Sequence, residues 1–339
     1  MKPKAIVDPH PRTLGLLFNK EELKRLRSLA TLSVWEGSRM PPDMVEKHLP
    51  GASVIIGQTD LPRALLGRAK ALRAVINVEG NFQPNIDYEY CCERGIHVLG
   101  VGVAFGQAVA EMALGFAIAL ARGIPEGDRL FREGKEVYGR LSNQTAFLIS
   151  GAEVGFIGFG ILGRALIKLL QPFTCTIRVY DPWLPDRWLE GFGMIPSSLE
   201  MLLASSQLVF VLAGATEENR AMLNRRTLNL MRKGASLVLV SRASLVDFEA
   251  LTHKLAQGDL RAAVDVFPEE PFPKDHPIRT LDNVILSAHR SGGLAVVYRL
   301  MGEMIVDDLG LILRGLPPVR LQRAERQTVA RFRSMPVKK

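Results

Sequence analysis

Short apolar runs alternate with polar, helix-favouring segments along the first hundred residues. The apolar runs ASVIIGQ (52–58) and LRAVIN (72–77) are bounded by turn-forming or charged residues, which is typical of buried parallel strands. A helix over PNIDYEYCCERG (84–95) is expected to stop at Gly95. These signals predict a small α/β domain, whose other elements are a strand over RTLGLLF (12–18), a helix over KEELKRLRSLA (20–30) and a strand over IHVLGVG (96–102).

The pattern changes near residue 104. The segment QAVAEMALGFAIALARGI (107–124) places small and apolar residues on most faces of one long helix, which predicts burial, either within the chain or against another subunit. A polar stretch follows from 125 to 150, after which strand and helix signals alternate again. These later segments are SLEMLLASS (198–206), the strand QLVFVLAG (207–214), TLNLMRKG (227–234), the strand ASLVLVS (235–241), the helix DFEALTHKLAQG (247–258), the strands RAAVDVF (261–267) and NVILSAH (283–289), and a long amphipathic helix over 294–315.

The most informative stretch is VGFIGFGILGRALIKLLQPFTCTIRVYD (154–181), which predicts a strand, a glycine turn, a helix and a second strand ending in an acid. This order is typical of a dinucleotide-binding βαβ unit. Gly158 permits the tight turn, Gly160 lets backbone N–H groups approach a pyrophosphate, and Gly163 lets helix and strand pack closely. The pyrophosphate is expected at the positive helix N-terminus, beside Ile161 and Leu162.

The acid that ends this unit, Asp181, stands where a carboxylate accepts hydrogen bonds from the adenosine ribose. Its charge repels a 2′-phosphate, and Pro182 and Trp183 follow it where an arginine would favour NADP. The sequence therefore predicts NAD(H) as the cofactor.

The mid-chain position of the glycine turn predicts two domains. A small α/β domain is complete before the cofactor domain begins, and the last long helix is expected to return to the first domain. The predicted boundaries are residues 1–103 with 294–339 for a discontinuous substrate-binding domain, and 104–293 for the dinucleotide-binding domain.

Composition narrows the class of protein. Hydrophobic residues make up 47% and charged residues 23% of the 339, as in soluble globular proteins. We expect no membrane segment, because no apolar run reaches the length that crosses a bilayer, and no signal peptide, because MKPKAIVDPHPR lacks an apolar core. Only three cysteines occur, and their spacing fits no zinc site, so we expect no metal. Two of them are adjacent and rarely bridge each other, so we expect a reducing, cytoplasmic location.

The net charge of +8 raises the question of nucleic-acid binding. Most of the excess lies in the last twenty residues, RLQRAERQTVARFRSMPVKK, which hold seven basic residues and one acid. The rest of the chain is close to neutral. A basic tail with few aromatic residues favours a solvated end or a partner-docking segment over a nucleic-acid site.

Charged side chains follow three of the predicted strands, where a doubly wound sheet places its ligands. Arg242 follows LVLVS, Glu270 follows RAAVDVF, and His289 ends NVILSAH. Reduction of a 2-oxo acid needs a cation for the carboxylate, an acid for the carbonyl oxygen and a group that poises that acid. Arginine suits an α-keto acid because its planar fork is bidentate, and histidine suits proton transfer near neutral pH.

The chain resembles the D-isomer-specific 2-hydroxyacid dehydrogenase family, which includes phosphoglycerate dehydrogenases and glyoxylate/hydroxypyruvate reductases. The matching stretches are VAEMALGFAIALAR, VGFIGFGILGRAL with VYDP, LMRKGASLVLVSRASLVD, RAAVDVFPEEP and NVILSAHRSGG. The resemblance implies a Rossmann-type domain inserted into a smaller flavodoxin-like α/β domain. It also implies a homodimer formed by the cofactor domains, and NAD-dependent interconversion of a 2-oxo acid and a D-2-hydroxy acid.

The resemblance also implies site residues. Arg242 is expected to bind the substrate carboxylate and carbonyl oxygen, His289 to be the general acid/base, and Glu270 to pair with His289. Asp265 is expected to hold the nicotinamide carboxamide, and the loop VEGN (78–81), with Glu79 and Gly80, to meet the substrate carboxylate. The other residues expected to bind the cofactor are Ala213, Gly214, Thr216, Val240, Ser241 and Gly292, together with Arg242 and His289.

Three positions depart from the family pattern. Ala243 follows Arg242 where the family commonly has glycine, and VLAGATEEN lacks the His-x-Pro often found there. Glu79 puts a carboxylate in a loop expected to meet a carboxylate, which like-charge repulsion disfavours. Either the Glu79 side chain turns away, or the substrate carries a cationic or hydroxyl-rich group at that point.

Two other functions stay open at this point. Some members of this family sense NAD(H) and act as regulatory partners, and a basic tail could serve such binding. The complete set of Arg242, Glu270 and His289 favours an active enzyme. A formate-type dehydrogenase is disfavoured, because that site pairs its histidine with glutamine and this chain has Glu270.

Overall fold

The computed structural model describes residues 2–329 and 331, and the chain divides into two compact units. The first unit runs to Phe105 and resumes at Gly293, and the second is Gly106–Gly292. Residue 330 and residues 332–339, which hold part of the basic tail and the end of the predicted first domain, lie outside the described residues. The assignment of substrate to one unit and cofactor to the other stays a prediction here.

Each unit has a central sheet with helices around it. The strands are β1 (Lys4–Asp8), β2 (Thr31–Val34), β3 (Ala52–Gly57), β4 (Ala74–Asn77), β5 (His97–Gly100), β6 (Glu153–Ile157), β7 (Thr176–Tyr180), β8 (Ile195–Pro196), β9 (Leu208–Val211), β10 (Ala235–Leu239), β11 (Leu260–Val264), β12 (Val284–Leu286) and β13 (Gln322–Arg323). The helices are α1 (Leu14–Leu17), α2 (Lys20–Leu29), α3 (Pro42–His48), α4 (Arg63–Leu66), α5 (Tyr88–Glu93), α6 (Gly106–Arg122), α7 (Ile124–Arg132), α8 (Ile161–Leu170), α9 (Asp186–Glu190), α10 (Leu199–Ser205), α11 (Arg225–Leu228), α12 (Phe248–Ala256), α13 (Ala295–Leu313) and α14 (Arg326–Val329).

The first sheet has the order β13-β5-β4-β3-β1-β2. Its strands are parallel apart from β13, which pairs antiparallel with β5. The order β2-β1-β3-β4-β5 is that of flavodoxin-like sheets, and the chain reverses direction across the sheet between β1 and β3. Residues of β3 and β4 such as Ile55, Ile56, Val75 and Ile76 are fully buried, as expected of parallel strands covered on both faces.

The N-terminal region corrects one prediction. RTLGLLF is not a strand, because Leu14–Leu17 form the short helix α1, and the strand of this region is instead β1. The Thr13 side chain accepts a hydrogen bond from the Leu16 N–H and begins the helix as its N-cap. The long C-terminal helix α13 packs on α1, where a Cβ on Gly302 would lie 2.1 Å from the Leu17 carbonyl oxygen.

The second sheet has the order β12-β11-β10-β9-β6-β7-β8, and every pair of neighbouring strands is parallel. Counted from β6, this is the 3-2-1-4-5-6 order of a dinucleotide-binding fold with one more strand at its edge. Its switch point lies between β6 and β9. Side chains of β9, β10 and β11 form the centre of the core, among them Val209, Leu237 and Ala262. The predicted α/β class with a Rossmann-type domain is confirmed.

Helix α6 corrects the expectation about apolar runs. Within the described residues, Gly102–Arg122 form a helical stretch of 21 residues that is long and apolar enough, by length and composition alone, to cross a membrane. In the second unit, however, α6 packs against α8, β10 and β11 and buries side chains such as Val109, Phe116 and Leu120. Such burial is what a core helix shows.

Candidate active site

Six neighbouring strands of the second sheet deliver the predicted residues to one edge. Because the carboxyl ends of parallel strands meet at the same edge, the loops that follow these strands lie at one edge of the sheet. The residues and the strands they follow are Gly158 after β6, Asp181 after β7, Ala213 and Gly214 after β9, Val240 to Arg242 after β10, Asp265 and Glu270 after β11, and His289 after β12.

The glycine turn has the geometry that its sequence predicts. Gly158 has φ +91°, and a Cβ there would lie 2.6 Å from the backbone of Ala213. Only glycine therefore fits at this switch point. Gly160 precedes α8 and has open space where a Cβ would stand, so its backbone is approachable. A Cβ on Gly163 would lie 2.8 Å from the Phe159 ring, which makes its role the close packing of the helix.

The N-terminus of α8 fits a bound pyrophosphate. No side chain caps this helix, whose first residues are Ile161 and Leu162, so the N–H groups of its first turn are free to meet an anion. The helix has ten residues, and its dipole adds to the same attraction.

Asp181 is held in place at the turn. Its Oδ2 accepts a hydrogen bond from the Phe159 N–H at 2.8 Å, and its Oδ1 accepts one from the Trp183 N–H at 3.0 Å. The carboxylate thus ties the end of β7 to the glycine turn. A carboxylate can accept further hydrogen bonds, so ribose hydroxyls can still bind it.

The loop after β9 is organised by a residue that the sequence did not single out. Asn219 Oδ1 accepts a hydrogen bond from the Thr216 N–H at 2.8 Å, and Asn219 Nδ2 donates one to the Gly214 carbonyl at 2.8 Å. After β10, Arg242 Nη1 donates to the Ser241 carbonyl at 2.6 Å. Ala243, the departure from the family pattern, is buried in the 3-10 helix Ala243–Leu245.

Two buried hydroxyl groups at this edge lack hydrogen-bond partners among the described residues. The Oγ atoms of Ser241 and Ser291 are buried and have no hydrogen-bond partner among the described residues. Buried polar groups are nearly always paired, so these two hydroxyls are available to a bound ligand. With the open backbone at Gly160, they show that the edge fits a dinucleotide.

Asp265 organises the turn that carries His289. The carboxylate is buried, with 1% of the residue exposed. Its Oδ1 accepts hydrogen bonds from Ser287 Oγ at 2.5 Å and the Arg290 N–H at 2.9 Å, and its Oδ2 accepts one from the Ser291 N–H at 3.1 Å. The His289 N–H also donates to the Asp265 carbonyl at 2.8 Å. The turn is therefore anchored to a single residue.

His289 and Glu270 are in direct contact. His289 Nδ1 lies 2.8 Å from Glu270 Oε2 and 3.0 Å from Oε1, and the Phe267 N–H donates to Glu270 Oε1 at 3.2 Å. His289 itself has φ 51°, a left-handed conformation that is uncommon for a residue other than glycine. Because the carboxylate accepts from Nδ1, the ring presents Nε2 as the atom that can exchange a proton. This pair can act as an oriented general acid/base.

Within the first unit, the Glu79 side chain pairs with Arg12. Glu79 Oε2 lies 3.3 Å from Arg12 Nη2, and the Arg12 guanidinium lies 5.0 Å from the centre of the Tyr298 ring. The side chains of Arg12 and Glu79 are 14% and 25% exposed. The charge of Glu79 is therefore balanced within its own unit, and Gly80 follows it in a loop that a Phe105 ring closely approaches. The sequence offered no sign of the Arg12 contact, which joins residues 67 positions apart.

Two of the three cysteines, Cys91 and Cys175, are wholly or partly buried. Burial raises the pKa of Cys91 to about 12, and burial also raises the pKa of Cys175. Neither thiol is thus poised as a nucleophile. No group of three or more His, Cys, Asp or Glu side chains in the part of the chain that the structure describes could hold a metal ion.

The known proteins that are similar to this chain point to one family. A family model described as "D-isomer specific 2-hydroxyacid dehydrogenase, NAD binding domain" matches residues 114–291. A glyoxylate reductase of Korarchaeum cryptofilum is 32% identical over 94% of this chain and 95% of its own length. The chain belongs to the D-isomer specific 2-hydroxyacid dehydrogenase family. It is an oxidoreductase with a nicotinamide dinucleotide cofactor, as predicted.

Two further relatives carry phosphoglycerate in their names. A D-3-phosphoglycerate dehydrogenase of Methanocaldococcus jannaschii is 30% identical over 88% of this chain, which spans 56% of that longer protein. The crystal structure of a phosphoglycerate oxidoreductase from Rhizobium etli is 45% identical, with a TM-score of 0.86 over 96% of this chain and all of that one. These names describe the relatives, and the substrate of this chain is a separate question.

Proposed function

We propose that this protein interconverts 2-oxo acids and D-2-hydroxy acids with NAD(H), using His289 as the general acid/base. The observation that carries the proposal is the contact of His289 Nδ1 with Glu270 at 2.8 Å at the carboxyl edge of the second sheet. A bound nicotinamide dinucleotide supplies the hydride for reduction or accepts it in oxidation.

The proton is handled by His289. During reduction, Nε2 of the imidazolium donates a proton to the carbonyl oxygen of the substrate, and in the reverse direction the neutral ring removes the hydroxyl proton. Glu270 keeps Nδ1 directed away from the substrate throughout. The Asp265 hydrogen bonds keep the turn in place, so the ring does not have to be ordered when substrate binds.

The substrate carboxylate is assigned to Arg242. Its guanidinium has five donors in a planar fork, which can bind the carboxylate and carbonyl oxygens of a 2-oxo acid together. Arg242 lies three residues after β10, whose residues are all buried, so its loop begins from a fixed strand. We further assign substrate binding to the first unit, through the loop of Glu79 and Gly80, and cofactor binding to the second.

We propose NAD rather than NADP as the preferred cofactor. Asp181 is fixed by Phe159 and Trp183, so it cannot easily turn away from a 2′-phosphate. The like charges would repel each other at that point. The remaining predicted cofactor contacts, Thr216, Val240, Asp265 and Gly292, belong to the same proposal.

We also propose a homodimer formed through the second unit, with the protein in the cytoplasm. The segment after α6 carries large apolar side chains that are each more than half exposed, and exposure of this kind marks interaction surfaces. A second copy of the chain would cover them. They are Ile124, Phe131, Val137, Tyr138, Leu141 and Leu148.

The test is the oxidation of NADH or NADPH in the presence of glyoxylate, hydroxypyruvate and larger 2-oxo acids, with chiral analysis of the product. We expect turnover with NADH, a higher KM for NADPH, and a D-2-hydroxy acid. Turnover should be lost in the His289→Ala variant. Tight NADH binding without any turnover on this panel would instead support an NAD(H)-sensing protein and contradict the proposal.

A further inference from the structure

Two aromatic rings close the loop that carries Glu270. Phe267 precedes Glu270 in the sequence and Phe272 follows it, and the two ring centroids lie 4.5 Å apart with an interplanar angle of 32°. A tilted stack at this distance is a favourable aromatic contact. The stack therefore joins the two ends of the segment 267–272, and Glu270 lies between them.

Helix α12 holds both of these rings. The Phe248 ring, at the first residue of that helix, contacts the Phe267 ring at 5.9 Å and the Phe272 ring at 5.5 Å, each in an edge-on arrangement. Phe248 is buried and belongs to the hydrophobic core of the second unit. The loop is thereby fixed to the core through a helix that lies before it in the sequence.

Two more side chains contact Phe272. The His276 ring lies 4.7 Å from the Phe272 ring. The Arg279 guanidinium carbon lies 5.5 Å from the centre of the same ring, which is within the range of a cation–π contact. Phe248, Phe267, His276 and Arg279 therefore all meet at Phe272, and we refer to these five residues as the loop cluster.

Arg279 also holds the main chain that follows Glu270. Its Nε donates to the Pro273 carbonyl at 2.7 Å, and its Nη2 donates to the Phe272 carbonyl at 3.0 Å. The planar fork of a guanidinium suits two neighbouring acceptors of this kind. Hydrogen bonds as well as ring contacts therefore fix the backbone just beyond Glu270.

Glu270 depends on this backbone for its contact with His289. Its Oε1 accepts from the Phe267 N–H at 3.2 Å, and its Oε2 lies 2.8 Å from His289 Nδ1. A displacement of about 1 Å would lengthen the second distance beyond that of a hydrogen bond, and misplacements of this size are costly in catalysis. The loop cluster lies where it can prevent such a displacement.

We propose that Phe272 and Arg279 are positioning residues, which hold Glu270 against His289 and act on the reaction through Glu270. This proposal rests on the proposed function, because it concerns the acid/base pair of the same reaction. It gives neither residue a part in binding the cofactor, so the Kd for NADH should not depend on them.

The first test is Phe272→Ala, assayed with the 2-oxo acid that the wild type reduces fastest. We expect kcat at saturating NADH to fall by about 10-fold or more, since the acid/base pair loses its alignment. The Kd for NADH should stay within about threefold of the wild-type value, because the change lies outside the cofactor site. Phe272→Tyr keeps the ring and should retain kcat within about threefold.

A double-mutant cycle separates positioning from a general structural role. In Glu270→Ala no carboxylate is left to be held, so adding Phe272→Ala should lower kcat by less than about twofold further. The same factor of loss in the presence and in the absence of Glu270 would overturn the proposal, because Phe272 would then act by a route that does not include Glu270.

Arg279→Met is a second variant, which keeps the apolar stem and removes the donors. Arg279 is exposed, so the variant is expected to fold, and its kcat should fall by about threefold or more. The matched control is Arg232→Met, which removes another exposed arginine that donates to a backbone carbonyl, that of Ser205. Phe192→Ala is the control for Phe272, because it removes a ring from a separate aromatic cluster with Trp188. Both controls should retain the wild-type kcat.

The results distinguish this proposal from the proposed function. Full kcat in Arg279→Met and in a folded Phe272→Ala would overturn the positioning role and leave the reductase function standing. Losses of kcat in the two controls as large as those in the test variants would also overturn it. No reduction of any 2-oxo acid by the wild type would overturn the proposed function, and this proposal with it.

Discussion

His289 Nδ1 lies 2.8 Å from Glu270 Oε2, across 19 residues of sequence. The contact joins the end of β12 to the loop after β11, which are adjacent and parallel strands. It sets the orientation of the ring, so that Nδ1 faces Glu270 and Nε2 points away from it. The chemistry of the site therefore depends on an arrangement of two loops that only the sheet order brings together.

The first prediction concerns this pair. His289→Ala should lower kcat by about 10²- to 10⁴-fold, the usual contribution of a general acid/base. Glu270→Gln should lower kcat by on the order of 10- to 1000-fold, since an amide no longer imposes one tautomer on the ring. Steady-state kinetics with glyoxylate, alongside the Kd for NADH, measures both effects. The neighbouring Glu269→Gln is the matched control and should retain kcat. An equal loss of kcat in that variant would contradict a specific role for Glu270.

The second prediction concerns Asp265. In Asp265→Asn, an NH₂ group replaces one of the oxygens that accept from Ser287, Arg290 and Ser291. We expect a loss of about 1–3 kcal/mol in the free energy of unfolding, because the new NH₂ group faces a buried hydrogen-bond donor that then lacks an acceptor. The kcat should fall as well, since the turn carries His289. Denaturant unfolding and kinetics measure the two quantities. An active variant of unchanged stability would show that the turn does not depend on this carboxylate.

The third prediction concerns cofactor choice. Asp181→Ala removes the carboxylate that would repel a 2′-phosphate, so the ratio of kcat/KM with NADPH to that with NADH should rise by about 10-fold or more. The KM for NADPH should fall for this reason, and the KM for NADH should rise because the ribose hydroxyls lose a hydrogen-bond acceptor. Asp186→Ala, an exposed carboxylate five residues further on, serves as the control. An unchanged ratio in Asp181→Ala would place the origin of cofactor selectivity elsewhere.

The fourth prediction concerns the pH dependence of stability. Burial raises the pKa of Asp8 above its ordinary value, and hydrogen bonds from Met40 and Thr59 only partly oppose this. The neutral carboxyl therefore favours the folded state, and its contribution is complete at acid pH and lost as the pH rises through the folded-state pKa. Asp8→Asn, which stays neutral, should have a higher Tm than the wild type under slightly alkaline conditions.

The difference in Tm between Asp8→Asn and the wild type should shrink as the pH falls. Calorimetry over a pH series measures it. The exposed Asp128 provides a contrast of opposite sign, because its hydrogen bond with Arg132 lowers its pKa. Asp128→Asn should thus be slightly less stable than the wild type near neutral pH and equal to it in acid. A Tm difference for Asp8→Asn that does not vary with pH would contradict the prediction.

The elements with strong local signals were predicted well. The helix α2 lies within KEELKRLRSLA, and Asn19 and the acids of its first turn mark its start. The strands β3 and β4 lie within their apolar runs. RTLGLLF was predicted wrongly as a strand. The conformation of this segment depends on the Thr13 cap and on packing against α13, which is nearly three hundred residues away in the sequence. The prediction missed β1 altogether, as its five residues give a weak signal.

The sequence by itself identified the cofactor-binding unit and predicted the site residues that follow its strands. Gly158, Asp181 and Asp265 directly follow a strand, Arg242, Glu270 and His289 lie in the loops after theirs, and a parallel sheet brings all such ends to one edge. The tertiary structure decided which of these groups touch, as in the anchoring of the His289 turn by Asp265. It also paired Glu79 with Arg12 and brought Phe248 against the loop that carries Glu270. Those facts depend on contacts between distant segments, and no local pattern of residues records them.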